Sequence, residues 1–333
     1  MKIIIPMAGM GKRMRPHTLS IPKPLIRIAG KPIVQRLVED IIKVSTEPVD
    51  EIAFIIGNFG KEVEAQLLSI AENVGAKGCI YYQEEALGTA HAILCAAPSL
   101  KGNITVAFAD TLFKASFQLN QSLDSVIWVQ KVKNPELFGV VITNEKGCIT
   151  DFIEKSKTFV SDLAIIGIYY FRSGEYLKEE LQYLIDNEVV VNGEYQLTDA
   201  LQNMMQKGTV FHTDSVDEWL DCGNKDATVY THQRVLEHQG EMQQTPINLT
   251  LVNSKIIEPC YIGSNVSLKN STIGPYVSVD DNSTLEDVMI ENTMVGKNCK
   301  LWQSEIKNSM LGNNIEYSGV SNDLSIGDYS TIR

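Results

Sequence analysis

The chain has 333 residues, too many for one ordinary compact core, so two domains are expected. Its net charge of −12 argues against general binding to nucleic acid or to anionic membranes, and no apolar run is long enough to span a bilayer. The six cysteines (Cys79, Cys95, Cys148, Cys222, Cys260 and Cys299) are scattered without a C-x-x-C pair, which speaks against zinc and for free thiols in a reducing cytosol.

MKIIIPMAG reads as a buried first strand and not as a signal peptide, because basic residues and no small-residue cleavage site come after it. Helical spacing at 32–44 and 61–74 alternates with strand-like runs at 51–56 and 78–83. GTAHAILCAAP (88–98) reads as a small-residue helix ended by proline, and ITVAFAD (104–110) as a strand ending in a carboxylate. This alternation predicts βαβ units: a mostly parallel sheet with helices on both faces, Rossmann-like. Further on, SVIWVQ, FGVVIT, CITDFIEK and LAIIGIYYF read as strands. EYLKEELQYLID, QLTDALQNMMQKG and NKDATVYTHQRVLEHQ read as helices, and EMQQTPIN (241–248) as a linker.

After residue 249 the pattern changes. YIGSNVSL, TIGPYVSV, MVGKNCKL, MLGNNIEY and SIGDYSTI each place an aliphatic residue before Gly and a small or apolar one about three later. Degenerate hexapeptide repeats of this kind predict a β-helix solenoid turning on Gly and Asn; a small β-sandwich is the alternative. The expected domains are 1–240 and 249–333.

In parallel sheets, ligands bind at the carboxyl ends of the strands. Three such ends carry chemistry here: the basic turn PMAGMGKRMRPHT (6–18), the amide Gln83 and the carboxylate Asp110. Backbone N–H groups of a Gly-containing turn can cradle phosphate oxygens, with Arg13 and Arg15 adding forked donors and Lys12 a point charge. The turn lacks the G-x-x-x-x-G-K-[ST] spacing, and no third Gly completes a dinucleotide fingerprint.

G-x-G-x-R, x-P-x-T, K-P-L and G-K-P-I, as they stand in MAGMGKRMRPHTLSIPKPLIRIAGKPI, resemble the N-terminal signature of the sugar-phosphate nucleotidyltransferases. QEEALGTAHAI, FAD (108–110), FGVV (138–141), IEK (153–155), IGIYYF (166–171), GEYQLTD (193–199) and WLDCG (219–223) come next in that family's order, and the final repeats resemble the left-handed β-helix many members carry. The resemblance implies attack of a sugar-1-phosphate on the α-phosphorus of a nucleoside triphosphate, with pyrophosphate released. It assigns Arg13 to the pyrophosphate, Lys23 to the α-phosphate and Lys155 to the sugar phosphate, with Mg²⁺ on Asp110 and Asp221. Ala8, Gly9, Gly11, Gln83, Gly88 and Thr89 would surround the nucleotide, and Gly139, Glu154, Gly167 and Glu194 the hexose. An amide at Gln83 suits uracil or thymine, so dTTP or UTP is the expected nucleotide. The free cysteines point to a cytoplasmic protein, and the exposed end of a stacked coil, which a partner subunit or a cap must cover, points to a homo-oligomer.

Each residue has a plainer reading. Lys23 could be a solvated turn lysine, Asp110 a cap for a helix near Leu112, Asp221 the acceptor of an Asx-turn, and Lys155 half of a surface ion pair with Glu154. The first turn is one residue shorter than the G-G-x-G-T-R of many relatives, with Lys12 where Thr is common. All five histidines precede the repeats, so the solenoid reads as structural or oligomerising and not as a histidine-dependent acyltransferase. A non-catalytic regulatory subunit of the same fold and a mannose-1-phosphate guanylyltransferase are the competing readings; a Rossmann dinucleotide enzyme ranks behind both.

Overall fold

A computed structural model describes residues 1–156, 158–240 and 246–332. The elements are β1 (Lys2–Pro6), β2 (Arg27–Ile28), β3 (Lys31–Pro32), α1 (Ile33–Val44), β4 (Glu51–Ile56), α2 (Lys61–Asn73), β5 (Lys77–Tyr82), α3 (Thr89–Cys95), β6 (Ile104–Ala107) and β7 (Thr111–Lys114). After these come β8 (Ser125–Lys131), β9 (Gly139–Thr143), β10 (Ile149–Glu154), β11 (Leu163–Phe171), α4 (Gly174–Asp186), α5 (Leu197–Gln206), β12 (Phe211–Ser215), β13 (Glu218–Asp221) and α6 (Lys225–Gln239). The chain divides into two compact units: one holds Met1–Gly9 and Leu37–Trp219, the other Met10–Arg36 and Leu220–Arg333. Of the expected linker, residues 241–245 lie outside the described residues.

The first unit is built on a nine-stranded sheet in which β10, β9, β11, β6, β1, β4 and β5 are neighbours in that order, with β8 beside β11 and β12 beside β8. β6, β1, β4 and β5 run parallel, as βαβ connections require. β11 enters antiparallel, pairing Ile168 with Ala107 and Phe171 with Ile104. Its first half therefore runs beyond the carboxyl end of β6, where Ala164 meets Val140 of β9. The core gathers Ile4, Ala53, Ile55, Ile93, Ile104, Val106, Ile127 and Phe171 from strands and α3, together with Leu177, Leu181, Leu201 and Met204 from α4 and α5. These come from the alternation and helical spacing read in the sequence.

In the second unit the repeats form a parallel β-helix, which rules out the sandwich. Thr250, Ser267, Thr284, Lys300, Glu316 and Thr331 stand in register, so successive coils are 17, 17, 16, 16 and 15 residues long. This drift explains the uneven intervals of the repeats. Corners fall in columns of residues with positive φ: Asn248, Asn265, Asn282, Asn298 and Asn314 in one, Asn253, Asn270, Asp287 and Gln303 in a second, Tyr276, Asn292 and Asn308 in a third. Asn tolerates this conformation, and each Asn amide of the first column donates to the next at 2.9–3.2 Å, forming a stacked ladder. Leu268, Leu285, Leu301, Ile273, Ile290 and Ile306 fill the interior. Among the described residues, none of the six cysteines is in a disulfide, and no helix is long and apolar enough to cross a membrane.

Candidate active site

Because β6, β1, β4 and β5 are parallel, the residues just past the carboxyl end of each strand lie on one edge of the sheet. Ala8 and Gly9 lie past β1, Gln83 past β5, and Asp110 in the turn after β6. Three inter-strand spacings separate the outer pair, about 14 Å. Gly9 is exposed, and a Cβ on it would meet nothing within 4 Å. No protein packing demands glycine there, which leaves open space for a ligand against the backbone. Asp110 does not cap a helix: Thr111–Lys114 is a strand. Thr111 is tied down on both sides of that turn, its hydroxyl donating to the Ile166 carbonyl at 2.8 Å and accepting from the Trp219 indole at 3.0 Å.

Gln83 is held by its own segment. Its Nε2 donates to the Gly88 carbonyl at 3.1 Å and lies 3.1 Å from Nδ1 of His91. A carbonyl only accepts, so the Gly88 contact fixes which way the amide faces. With His91 accepting through Nδ1, both amide hydrogens are engaged and Oε1 is the atom turned away from them. Gly88 has φ 106, and a Cβ there would lie 2.4 Å from the Tyr195 carbonyl oxygen, so only glycine fits. Ala90 N donates to that carbonyl at 3.0 Å, Leu197 N donates to Thr89 Oγ1 at 2.9 Å, and Gln196 donates to Glu194 at 3.0 Å. The Gln83–Thr89 stretch and the Glu194 stretch, over a hundred residues apart, are thus stitched together.

Gly139 and Glu154 face each other across β9 and β10. A Cβ on Gly139 would come within 2.7 Å of a Glu154 carboxylate oxygen, so glycine makes room for that carboxylate. This hairpin pairs with the part of β11 beyond the end of β6 and stands past the sheet edge that carries Asp110. Gly167 sits where β11 leaves β9 for β6, with φ 85, and its carbonyl accepts from Phe108 N at 3.0 Å. Lys155 has φ 44, a conformation a lysine adopts only when its surroundings hold it. Its Nζ lies 3.3 Å from Glu154 Oε1, the ion pair anticipated from the sequence. Both side chains are more than half exposed (65% and 57%), so the pair is weak.

Within the second unit, Gly11 has φ 56; a Cβ on it would lie 3.0 Å from Thr18 Cγ2 and 3.1 Å from Lys23 Cβ. Arg13 is exposed in the short 3₁₀ turn Lys12–Met14, which is anchored by fully buried Met14. Lys23 is 7% exposed. The solvated-lysine reading is therefore wrong, because a lysine covered to this degree is not an open turn residue. Asp221 does make the Asx-turn, with Oδ1 accepting from Gly223 N at 2.9 Å.

Two neighbours escaped the sequence reading. His91 lies in the QEEALGTAHAI motif, but its contact with Gln83 depends on the turn between them. Tyr169, in β11, is a buried phenol pushed well above its ordinary range, first by burial and then by the Glu154 carboxylate; it therefore sits near Glu154.

A mixed α/β sheet whose parallel strands end in Gly-bearing turns is the frame of a nucleotide-handling transferase. A family model described as nucleotidyl transferase matches residues 2–238, and the chain belongs to that family. It is 30% identical to the low-salt glycan biosynthesis nucleotidyltransferase Agl11 of Haloferax volcanii, over 94% of this chain and 92% of that one. It is 25% identical to a glucose-1-phosphate thymidylyltransferase of Streptomyces antibioticus, over 100% of this chain and 99% of that one. Its fold matches the crystal structure of a putative glucose-1-phosphate thymidylyltransferase from Bacillus anthracis, with a TM-score of 0.61 at 21% identity, covering 73% of this chain and 97% of that one. It is an enzyme of the sugar-phosphate nucleotidyltransferase type.

Proposed function

We propose that this enzyme joins a hexose-1-phosphate to dTTP or UTP, forming a nucleotide sugar and releasing pyrophosphate. The observation that carries this reading is the Gln83 amide. With its N–H groups held by Gly88 and His91, its oxygen accepts from the N3–H of a uracil or thymine. The same segment is bonded to the one bearing Glu194, whose carboxylate accepts from sugar hydroxyls. Base and sugar are then gripped by one stitched unit.

In this mechanism an oxygen of the sugar phosphate attacks the α-phosphorus in line. The new P–O bond forms as the bond to the pyrophosphate oxygen breaks. The nucleophile is already an anion, so no side chain need take a proton. Arg13 binds the departing pyrophosphate, Lys23 the α-phosphate and Lys155 the sugar phosphate, so that cations oppose the charge that gathers in the transition state. Ala8, Gly9, Gly11, Gly88 and Thr89 admit the nucleotide, and Gly139, Glu154, Gly167 and Glu194 surround the hexose.

Asp110 and Asp221 suit magnesium. They are hard oxygen donors, and among the described residues no cluster of three or more acidic, His or Cys side chains forms a complete protein cage. Mg²⁺ is commonly held by one or two carboxylates, with phosphates and water completing its shell. Bound there, it would neutralise phosphate charge. We assign the catalytic portion to residues 1–240 and self-association to the repeats at 249–333, whose coil ends present strand edges that need cover.

Pyrophosphate release with Mg²⁺, measured over a grid of nucleoside triphosphates and sugar-1-phosphates, tests the substrate pair. Turnover is expected with dTTP or UTP, and Gln83→Ala should erode the preference for them over GTP. Preferred turnover of GTP with mannose-1-phosphate would replace this reading with the guanylyl one, and no turnover with any pair would favour a regulatory subunit.

A further inference from the structure

The turn that carries Gly11 and Arg13 has little regular structure of its own, and its continuation is fastened to the last coil of the β-helix. Met14 N and Thr18 Oγ1 both donate to the Gly11 carbonyl, each at 2.9 Å, so Thr18 closes the turn. The residues on either side of Thr18 reach the solenoid. His17 is 3% exposed and places Nε2 3.1 Å from Ser325 Oγ. Ser20 Oγ donates to Asp328 Oδ2 at 2.9 Å. Pro16 packs on Gly327 so closely that a Cβ there would lie 2.9 Å from Pro16 Cβ. Asp328 is itself held by its own coil, accepting from Asn313 N at 2.7 Å and Asn313 Nδ2 at 3.2 Å.

We propose that the final coil is a positioning element for the triphosphate turn, with Asp328 and Ser325 acting through Ser20 and His17 on the Gly11–Arg13 backbone. The inference rests on the reading of that turn as the triphosphate grip. It gives the solenoid a part in the reaction beyond scaffolding or self-association. The physical case is one of precision. Hydrogen bonds at a partly exposed surface add little to global stability. They do restrict where a loop sits, and a misplacement of about 1 Å can cost on the order of 10²-fold in rate. Asp328 is suited to the task because one carboxylate serves both the stacking of the coil and the turn.

The test is a steady-state comparison of Ser20→Ala, Asp328→Ala and the double variant in the full-length enzyme, with both substrates varied. Each single change should lower kcat/KM for the nucleoside triphosphate by about 5–20-fold. KM for the sugar-1-phosphate should stay within about twofold and the melting temperature within about 2 °C, because the lost contact is a surface one. The double variant should be no worse than the poorer single, since both remove the same link, and Ser20→Thr, which keeps the hydroxyl, should restore the nucleotide kinetics. An unchanged nucleotide kcat/KM in Ser20→Ala, or equal losses for both substrates, would overturn the proposal. Ser20→Ala leaves the coil untouched, so it remains informative if Asp328→Ala unfolds the last repeat. Should the wild-type enzyme turn over no substrate pair, the reading of the turn has failed on its own. Calorimetric binding of dTTP and UTP to the same variants then decides the positioning claim: a drop in affinity with Ser20→Ala supports it, and unchanged or absent binding sinks it.

Discussion

Gln83 and His91 meet across the turn that opens α3, with the Gln83 amide nitrogen 3.1 Å from His91 Nδ1. The Gly88 carbonyl takes the other amide hydrogen. The histidine thereby helps hold the Gln83 amide in one orientation. His91→Phe preserves the ring but removes the acceptor. It should raise KM for the preferred pyrimidine nucleotide by about 5–10-fold, the worth of one hydrogen bond, with kcat and the sugar KM little changed. Unaltered discrimination between pyrimidine and purine nucleotides in this variant would show that Gln83 needs no such support.

Arg13 is exposed on a turn anchored by Met14 beneath it. Arg13→Ala should lower kcat by roughly 10²–10³-fold, as expected for a group that meets charge developing on a leaving group. Arg13→Lys should recover only part of this, because a forked guanidinium and an ammonium are not equivalent toward phosphate. Neither variant should shift the melting temperature. A loss in Arg13→Ala confined to KM, with kcat intact, would mean that Arg13 only binds the ground state.

Gly88→Ala places a methyl group 2.4 Å from the Tyr195 carbonyl oxygen at a residue with φ 106. The strain should cost about 2–4 kcal/mol, seen as a fall of roughly 5–15 °C in melting temperature. Activity should fall further than stability, since the same change pries apart the two recognition segments. A variant with wild-type melting and kinetics would contradict the tight approach.

His17 and His232 are both buried in the second unit, and burial lowers their pKa values from 6.5 to about 4 and about 3. For His232 the Arg36 charge adds to burial, and for His17 the Asp328 carboxylate opposes it. With a folded pKa below the unfolded one, stability is fully present above pH 6.5. It is lost as pH falls toward the folded values, because only the unfolded chain takes up the protons. A gap of about one pH unit between folded and unfolded pKa is worth about 1.4 kcal/mol, so urea midpoints should fall progressively between pH 6.5 and pH 4. His17→Asn should flatten the profile. A midpoint that holds constant from pH 6.5 down to about 4 would argue that these rings are hydrated.

Light scattering of the full-length chain should report a mass above that of one chain if the repeats mediate self-association. A monomer at micromolar concentration would remove that assignment.

Most of the fold was legible. KIIIP, EIAFII and LAIIGIYYF became strands, and the 32–44 and 61–74 patterns became helices, because alternation and helical spacing are local properties of the chain. The carboxylate and lysine positions came from motif order, but their plainer alternatives needed coordinates. Asp110 lost its helix to a strand, Lys23 proved buried, and Asp221 kept its Asx-turn.

The sequence by itself determined the class of chemistry: a basic Gly turn, strand-end carboxylates and a repeat-bearing tail belong to the chain as letters in order. Only the tertiary structure decided which distant segments act together. The bonds from Thr89 to Leu197 and from Ser20 to Asp328 join residues whose separation in sequence carries no signal. Such contacts depend on how strands are ordered and coils are stacked, and a hydrogen bond between far-apart residues leaves no periodic trace in either partner's neighbourhood. The turn at residues 6–18 could be recognised from its glycines and cations. That His17 and Ser20 reach the last coil of the solenoid became visible only when the chain was folded.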